Sequence, residues 1–205
     1  MPEVTLLKPQ RNGKRVNVYL DGVFGFGIDL DNLVLSHIKI GTILSDEEVE
    51  KIVRKAEFQK TLDKLLKFAM LRPRSEKEID DYLKRKKVHE SMWGDLIEKL
   101  QHFELLDDAK FAKWWVDQRL TFKKISGKVL KLELFKKGID KEIVENVLEV
   151  TPIDEEKMAR DLLDKRSYRW KGLEPREAKQ KKFQYLAGKG FDYEVVEKIL
   201  ADENL

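Results

Sequence analysis

Hydrophobic positions recur along this chain with a period of about fifty residues. The pattern Leu-x-x-Lys-x-apolar occurs three times, and its leucines, Leu83, Leu134 and Leu186, lie 51 and 52 residues apart. Four apolar residues follow each copy at the same spacing: Met92, Trp93, Leu96 and Ile97; Ile143, Val144, Val147 and Leu148; Val195, Val196, Ile199 and Leu200. This spacing places each set on one face of a helix. Its repetition predicts similar helical units stacked in a row.

Each repeat is predicted to contain three helices. The middle helix ends at the Leu-x-x-Lys pattern, and the third carries the four apolar residues. The first helices carry their own apolar sets: Leu65, Leu66 and Ala69; Phe111, Ala112, Trp115 and Val116; Met158, Ala159, Leu162 and Leu163. Gly138 and Gly190 fall where the middle helices should stop, in a left-handed conformation that glycine adopts without strain. Lys87 holds this position in the first copy, so we expect slight backbone strain there.

Two capping patterns mark where helices begin. Ser45 is followed by Glu48 three residues later, which predicts a capping box. Pro73 interrupts the next helical stretch because proline cannot donate a backbone hydrogen bond. Ser75, with Glu78 at the third helical position, is then expected to begin the next helix.

The first thirty residues have a different pattern. Short runs of β-branched and aromatic residues are separated by Asn12-Gly13 and Asp21-Gly22, dipeptides that favour tight hairpin turns. This pattern predicts an antiparallel meander over about residues 3–29, packed on the following helix. The predicted domains are a β-rich extension (1–44) and three repeats (45–107, 108–151 and 152–205). The fold class is therefore mainly α, with a small N-terminal β meander.

Composition narrows the functional classes. Charged residues make up 39% of the 205 residues, well above the usual quarter, while the net charge is only +3. The absence of cysteine excludes disulfides and cysteine-ligated metals. The N-terminus does not resemble a signal peptide and no apolar run is long enough for a membrane span, which predicts a cytoplasmic protein without a membrane partner.

Basic residues are concentrated in two segments. Residues 119–137, the second-repeat basic segment, contain seven positive residues and one acid, and residues 160–189, the third-repeat basic segment, contain ten and four. Either a solvated helix face or an acidic, phosphate-bearing partner explains such a segment. The candidate contact residues are Arg119, Lys123, Lys124, Lys128, Lys131, Arg166, Arg169, Lys171, Arg176, Lys179 and Lys182. Trp114 is added as an exposed aromatic anchor, whereas its neighbour Trp115 is expected in the core.

No pattern indicates catalysis or a cofactor. The three histidines, His37, His89 and His102, lack metal-ligand spacing and are expected at the surface or half-buried. The glycines of residues 22–27 are not followed by the Lys-Ser/Thr of a phosphate-binding loop, so a glycine-containing hairpin is preferred. Asp107-Asp108 is interpreted as a helix cap, with a metal site as the less favoured alternative. We expect neither an enzyme nor a cofactor.

Four segments, in this order and at these distances, resemble the bacterial RecX family of regulators of the RecA recombinase. They are Ala69-Met-Leu-Arg-Pro-Arg-Ser-Glu-Lys-Glu-Ile79, Leu105-Leu-Asp-Asp-Ala-Lys-Phe-Ala112, Gly127-Lys-Val-Leu-Lys-Leu-Glu-Leu-Phe-Lys-Lys-Gly-Ile139 and Lys182-Phe-Gln-Tyr-Leu-Ala-Gly-Lys-Gly-Phe191. The resemblance covers about residues 60–200. The N-terminal β segment looks like an extension found in longer Gram-positive members. Lys87 departs from the glycine of the other two copies.

The resemblance implies three tandem three-helix repeats in an elongated, curved solenoid. We expect a monomer, and the resemblance also implies a protein without catalytic residues that binds in the groove of the RecA–DNA filament. There it would limit filament growth, ATP turnover, strand exchange and repressor cleavage during DNA repair and the SOS response. Direct contact with single- or double-stranded DNA is the alternative, and a helical scaffold for another protein is a third possibility.

Overall fold

The computed structural model describes residues 1–11 and 13–202. These residues divide into two compact units. The first unit contains residues 1–68 and 88–96, and the second contains residues 69–87 and the described residues from 97 onwards. Asn12, predicted in a hairpin turn, lies outside the described residues, but Gly13 beside it has a φ of +66°, as such a turn requires.

Three strands and ten α-helices follow one another in the described part of the chain. The strands are β1 (Val4–Pro9), β2 (Arg15–Leu20) and β3 (Val23–Asp29). The helices are α1 (Leu30–Leu35), α2 (Asp46–Met70), α3 (Glu76–Arg85), α4 (Trp93–His102), α5 (Asp108–Phe122), α6 (Gly127–Lys136), α7 (Lys141–Val150), α8 (Glu155–Asp164), α9 (Pro175–Ala187) and α10 (Tyr193–Asp202). Short 3₁₀ helices occupy Glu90–Met92 and Ser167–Arg169. The prediction of a mainly helical protein with an N-terminal β meander is confirmed.

The sheet of the first unit is antiparallel with the order β1-β2-β3. Asp21 and Gly22 join β2 to β3, and both have positive φ (49° and 81°), as predicted for this hairpin. The buried face of the sheet, including Val18 and Phe26, packs with Ala56 of α2. A three-stranded sheet needs such a partner, because its backbone pairing alone gives marginal stability.

The second and third repeats each have a hydrophobic core in the second unit. One core surrounds Leu134 with residues of α5, α6 and α7, and the other surrounds Leu186 with residues of α8, α9 and α10. Leu83, Leu134 and Leu186 are all fully buried, as the repeat pattern predicted. The core therefore consists mainly of the residues that carry the fifty-residue periodicity.

The predicted helix boundaries are also present. Ser45 and Glu48 form both hydrogen bonds of a capping box, at 3.2 and 2.7 Å. Ser75 Oγ accepts the backbone N–H of Glu78 at 3.3 Å. Gly138 and Gly190 have φ of +81° and +85°, and Lys87 has a φ of 54°, the strained conformation expected of a residue with a Cβ atom.

Candidate partner-binding surface

The cations of the second-repeat basic segment are largely paired within the protein. Arg119 Nε donates to Glu133 at 2.6 Å, and Trp115 Nε1 donates to the same carboxylate oxygen at 2.9 Å. The Arg119 guanidinium also lies 4.2 Å from the centre of the Trp115 ring. The Arg119 side chain is held by a carboxylate and by the face of an aromatic ring, so we infer that it stabilises the repeat.

Two lysines of this segment connect the second repeat to the third. Lys124 Nζ donates to Asp161 at 2.5 Å, and this hydrogen bond lowers the pKa of Asp161. Lys128 Nζ lies 3.6 Å from Asp192. Both lysines were predicted from the sequence to contact a partner, but in the structure they form ion pairs within the protein.

Lys131 and Lys123 complete the set of candidates in this segment. Lys131 lies 3.5 Å from Glu145, so it too has an acidic neighbour in its own repeat. Lys123 is exposed and forms no ion pair with any described residue. The second-repeat basic segment thus retains one candidate cation that is both exposed and unpaired.

The second and third repeats contact each other at positions where their backbones lie close together. Ser126, the buried N-cap of α6, donates from Oγ to the carbonyl of Gly190 at 2.7 Å. The N–H of Gly127 donates to Glu155, the first residue of α8, at 2.8 Å. A Cβ atom on Gly190 would lie 2.2 Å from a methyl carbon of Val129, so only glycine fits this contact.

Helix α3 contacts the second repeat in a similar way, through a hydrogen bond between two helix starts and a close approach at a glycine. Glu76, the first residue of α3, donates its N–H to Asp108, the first residue of α5, at 2.9 Å. A Cβ atom on Gly138 would lie 2.8 Å from Cβ of Lys77. Burial raises the pKa of Asp108, and the nearby carboxylates of Asp107 and Asp140 raise it further. Asp107 caps α5 by accepting the N–H of Lys110, as predicted, and the carboxylate of Asp108 takes part in repeat stacking.

Trp114 and Trp115 are both half-buried, which corrects the expectation of one exposed and one core residue. Both rings pack against Phe111, at centroid distances of 5.9 and 5.7 Å. Arg72 lies 5.4 Å from the centre of the Trp114 ring and Lys137 lies 4.8 Å from that of Trp115. Cations from other elements cover the rings, an arrangement that helical spacing within α5 cannot reveal.

Glu78 joins these cations into a network. It accepts hydrogen bonds from Arg72 at 2.8 Å and from Lys137 at 2.5 Å. Burial alone would raise the pKa of Glu78, but the hydrogen bonds from Arg72 and Lys137 outweigh this effect and the pKa is lowered. The carboxylate thus faces three cations, since Arg74 also lies 3.8 Å from it, and does not turn back to complete a capping box with Ser75.

The third-repeat basic segment has a more exposed set of cations. Arg169, Lys171, Arg176 and Lys179 are exposed, and none forms an ion pair with a described residue. They lie on the 3₁₀ helix, the following loop and the first turns of α9. Tyr168, beside them, is 69% exposed. We call Tyr168, Arg169, Lys171, Arg176 and Lys179 the third-repeat basic patch.

The two remaining candidates of this segment are less exposed. Arg166 is half-buried, with its guanidinium 4.7 Å from the centre of the Tyr185 ring. Lys182 is also half-buried on α9. The exposed candidates of this segment are therefore the four cations of the third-repeat basic patch.

The described residues also lack the features of a metal site and of a membrane-spanning helix. Among residues 1–11 and 13–202, no cluster of three or more His, Asp or Glu side chains is arranged to hold a metal ion. His89 caps the first 3₁₀ helix through Nδ1, 3.3 Å from the N–H of Ser91. Within the same range, no helix has the length and hydrophobicity needed to cross a membrane.

Three family models match this chain in sequence order. They describe the RecX N-terminal domain (residues 2–45), the RecX second three-helix domain (107–148) and the RecX third three-helix domain (154–200). A regulatory protein RecX from Bacillus licheniformis is 34% identical over 98% of this chain and 78% of the relative. The chain belongs to the RecX family. The N-terminal match extends the family relationship to the β meander, which the four sequence motifs left out.

Other relatives agree with this assignment. The regulatory protein RecX of Bacillus subtilis is 33% identical, with 96% of this chain and 75% of the relative covered. A crystal structure of regulatory protein RecX is 25% identical and superposes with a TM-score of 0.69 over 97% of this chain and 98% of the other. RecX from Lactobacillus salivarius is 29% identical, with a TM-score of 0.60 over 71% of this chain and 95% of the other. The family is one of regulatory proteins, and its repeats are the three-helix domains described above.

Proposed function

We propose that this protein regulates RecA recombinase without catalysis of its own. It binds in the groove of RecA–DNA filaments and limits filament growth, ATP turnover, strand exchange and repressor cleavage. Membership of a family of regulatory proteins supports this proposal. Stacked helical repeats suit such a partner, because they offer a long surface with many moderate contacts.

The observation that carries the proposal is the contrast between exposed and paired cations. Arg169, Lys171, Arg176 and Lys179 are exposed and form no ion pair with a described residue, whereas Arg119, Lys124, Lys128 and Lys131 face carboxylates of the protein itself. Exposed charges accelerate encounter with a partner of opposite charge. We therefore place the main contact on the third-repeat basic patch, with Lys123 as a secondary contact from the second repeat.

The test is RecA ATPase activity on single-stranded DNA, titrated with the protein. Reversing Arg169, Lys171, Arg176 and Lys179 to glutamate should raise the concentration needed for inhibition by at least about tenfold, or ~1.4 kcal/mol. A single Lys→Ala change should be mild, since exposed ion pairs contribute only ~0–1 kcal/mol each. The wild-type effect should weaken as salt increases.

Four exposed cations of the first compact unit provide the control: Lys8, Arg11, Lys14 and Lys39. Their reversal to glutamate should leave inhibition unchanged. If this control abolishes inhibition while the patch tolerates its own reversals, the contact lies in the N-terminal unit and the site assignment is wrong.

Direct binding of nucleic acid is the second candidate function, and the exposure of Tyr168 beside the cations favours it. Aromatic side chains among positive charges stack on unpaired bases, at ~1–3 kcal/mol for each base. Fluorescence anisotropy with a labelled single strand and no RecA tests this candidate. If Tyr168→Ala weakens that binding and leaves ATPase inhibition intact, DNA contact is an activity separate from filament control.

A further inference from the structure

A cleft of about 500 Å³ lies between the edge strand β3 and helix α2. One wall is residues 24–27 of β3, and the other is the face of α2 that carries Val53, Ala56, Lys60, Lys64 and Lys67. All of these residues belong to the first compact unit. The cleft is remote in sequence from both basic segments.

The helix wall of the cleft is positively charged. Lys60, Lys64 and Lys67 are exposed, and within the described residues none of them forms an ion pair. Two acids also line the cleft, Glu57 and Asp63, and Asp63 accepts a hydrogen bond from Gln59 at 2.8 Å. Three unpaired lysines that line the same wall of one cleft favour an anionic ligand.

The strand wall offers backbone hydrogen bonds. β3 pairs only with β2 in the described part of the chain, so its other edge has no strand beside it. Arg15 from β2 reaches this wall, and its Nη2 donates to the carbonyl oxygen of Gly27 at 2.6 Å. Phe24 is 55% exposed at the start of the wall. An unpaired strand edge is a template for an extended polypeptide, which can pair with its backbone N–H and C=O groups residue after residue.

The two walls match in length. Lys60 and Lys67 are separated by about 10 Å along α2, at 1.5 Å per residue. An extended strand covers that distance in about three residues. An acidic peptide with carboxylates at alternate positions would therefore present them along the same stretch of helix.

We propose that this cleft binds an extended acidic segment of a partner protein. The segment adds as a fourth strand to the free edge of β3, and its carboxylates meet Lys60, Lys64 and Lys67. Backbone hydrogen bonds supply affinity, and the lysines select negative charge. This function is independent of the proposed action on RecA filaments and uses another part of the molecule.

The test is fluorescence anisotropy of a labelled peptide of alternating glutamate and valine, measured with the full chain. We expect saturable binding that weakens at least tenfold when Lys60, Lys64 and Lys67 are changed to glutamate. Reversal of Lys8, Lys39 and Lys51, exposed in the same unit outside the cleft, should leave the affinity unchanged. Circular dichroism establishes that both variants are folded.

A second peptide separates strand addition from simple charge attraction. It has the same sequence with N-methyl groups on alternate residues, which remove the N–H groups facing β3 and keep the charge. Its affinity should fall at least tenfold. Equal binding of the two peptides overturns the proposal, as does an absence of saturable binding below about 1 mM. Displacement of the peptide by a single-stranded oligonucleotide of higher affinity would instead assign the cleft to nucleic acid.

Discussion

The basic segments of the second and third repeats have the same net charge of about +6, but their positive side chains have different surroundings. In the second repeat, Arg119, Lys124, Lys128 and Lys131 all have a carboxylate within 4 Å. In the third, Arg169, Lys171, Arg176 and Lys179 point into solvent without an acidic partner among the described residues. Net charge therefore does not distinguish cations that are paired within the fold from cations that remain exposed and unpaired.

For Lys124 and Lys128, the difference follows from position in the stack. The second repeat lies between α3 and the third repeat, and carboxylates from the third approach Lys124 and Lys128. The third-repeat basic patch includes the loop before α9 and the start of that helix, and no described element pairs its four cations. At the junction between the second and third repeats, Lys124 and Lys128 form ion pairs. The cations at the corresponding end of the third repeat remain exposed.

The largest effects should come from two of the buried leucines, one in each repeat core. Leu134→Ala and Leu186→Ala should each lower the free energy of unfolding by ~2–5 kcal/mol, because each leaves a cavity in a fully buried site. Chemical denaturation measures the change. Comparable losses would establish that the repeats have equivalent cores and differ at their surfaces. If Leu186→Ala has no effect, the third repeat lacks the predicted core.

Gly190→Ala should have the next largest effect. Its φ of +85° costs ~1–2 kcal/mol for a residue with a Cβ atom, and the clash with Val129 adds ~1–3 kcal/mol. Gly172→Ala is the matched control: it has the same φ, but a Cβ atom there has no neighbour within 4 Å. Thermal unfolding should show the larger loss for Gly190. Equal losses would contradict the close contact between the second and third repeats.

Arg119→Ala and Arg169→Ala test the comparison most directly. Arg119→Ala should lower the free energy of unfolding by ~1–2 kcal/mol, because Glu133 loses a charged hydrogen bond in a partly buried site. Arg169→Ala should change it by less than ~0.5 kcal/mol, as is usual for exposed positions. If denaturation shows equal losses for the two variants, the distinction between paired and exposed cations fails.

The smallest effect should be that of Asp108→Asn, and it depends on pH. The folded pKa of Asp108 is raised, so its ionised form is disfavoured in the folded protein at neutral pH. Wild type should gain stability relative to the variant as pH falls through the folded pKa towards the unfolded value of 3.8. At pH 7 the asparagine variant should therefore be at least as stable as wild type, since its side chain still accepts the N–H of Glu76.

Denaturation midpoints between pH 3 and 7 measure this effect. Asp117→Asn, which removes an exposed carboxylate from the same helix, serves as the control. A variant that loses stability at pH 7 and regains it in acid would show that the charge of Asp108 stabilises the stack, which is the opposite of our expectation.

The sequence by itself determined the repeat, the helix boundaries and the buried leucines. Each depends on residues close together in the chain: apolar spacing selects a helix face, Ser75 caps the amides that follow it, and Gly138 and Gly190 supply positive φ. Burial of Leu83, Leu134 and Leu186 follows from the same local pattern. The four ordered motifs also indicated the family.

Only the tertiary structure decided which charges have partners. Lys124 and Asp161 are 37 residues apart, and Lys137 and Glu78 are 59 apart, so neither pair follows from local spacing. The half-buried state of Trp114 and Trp115 has the same origin, because Arg72 and Lys137 reach their rings from other elements. Ion pairs and cation–π contacts act over a few ångströms and require both groups to be brought together, which depends on how the helices stack.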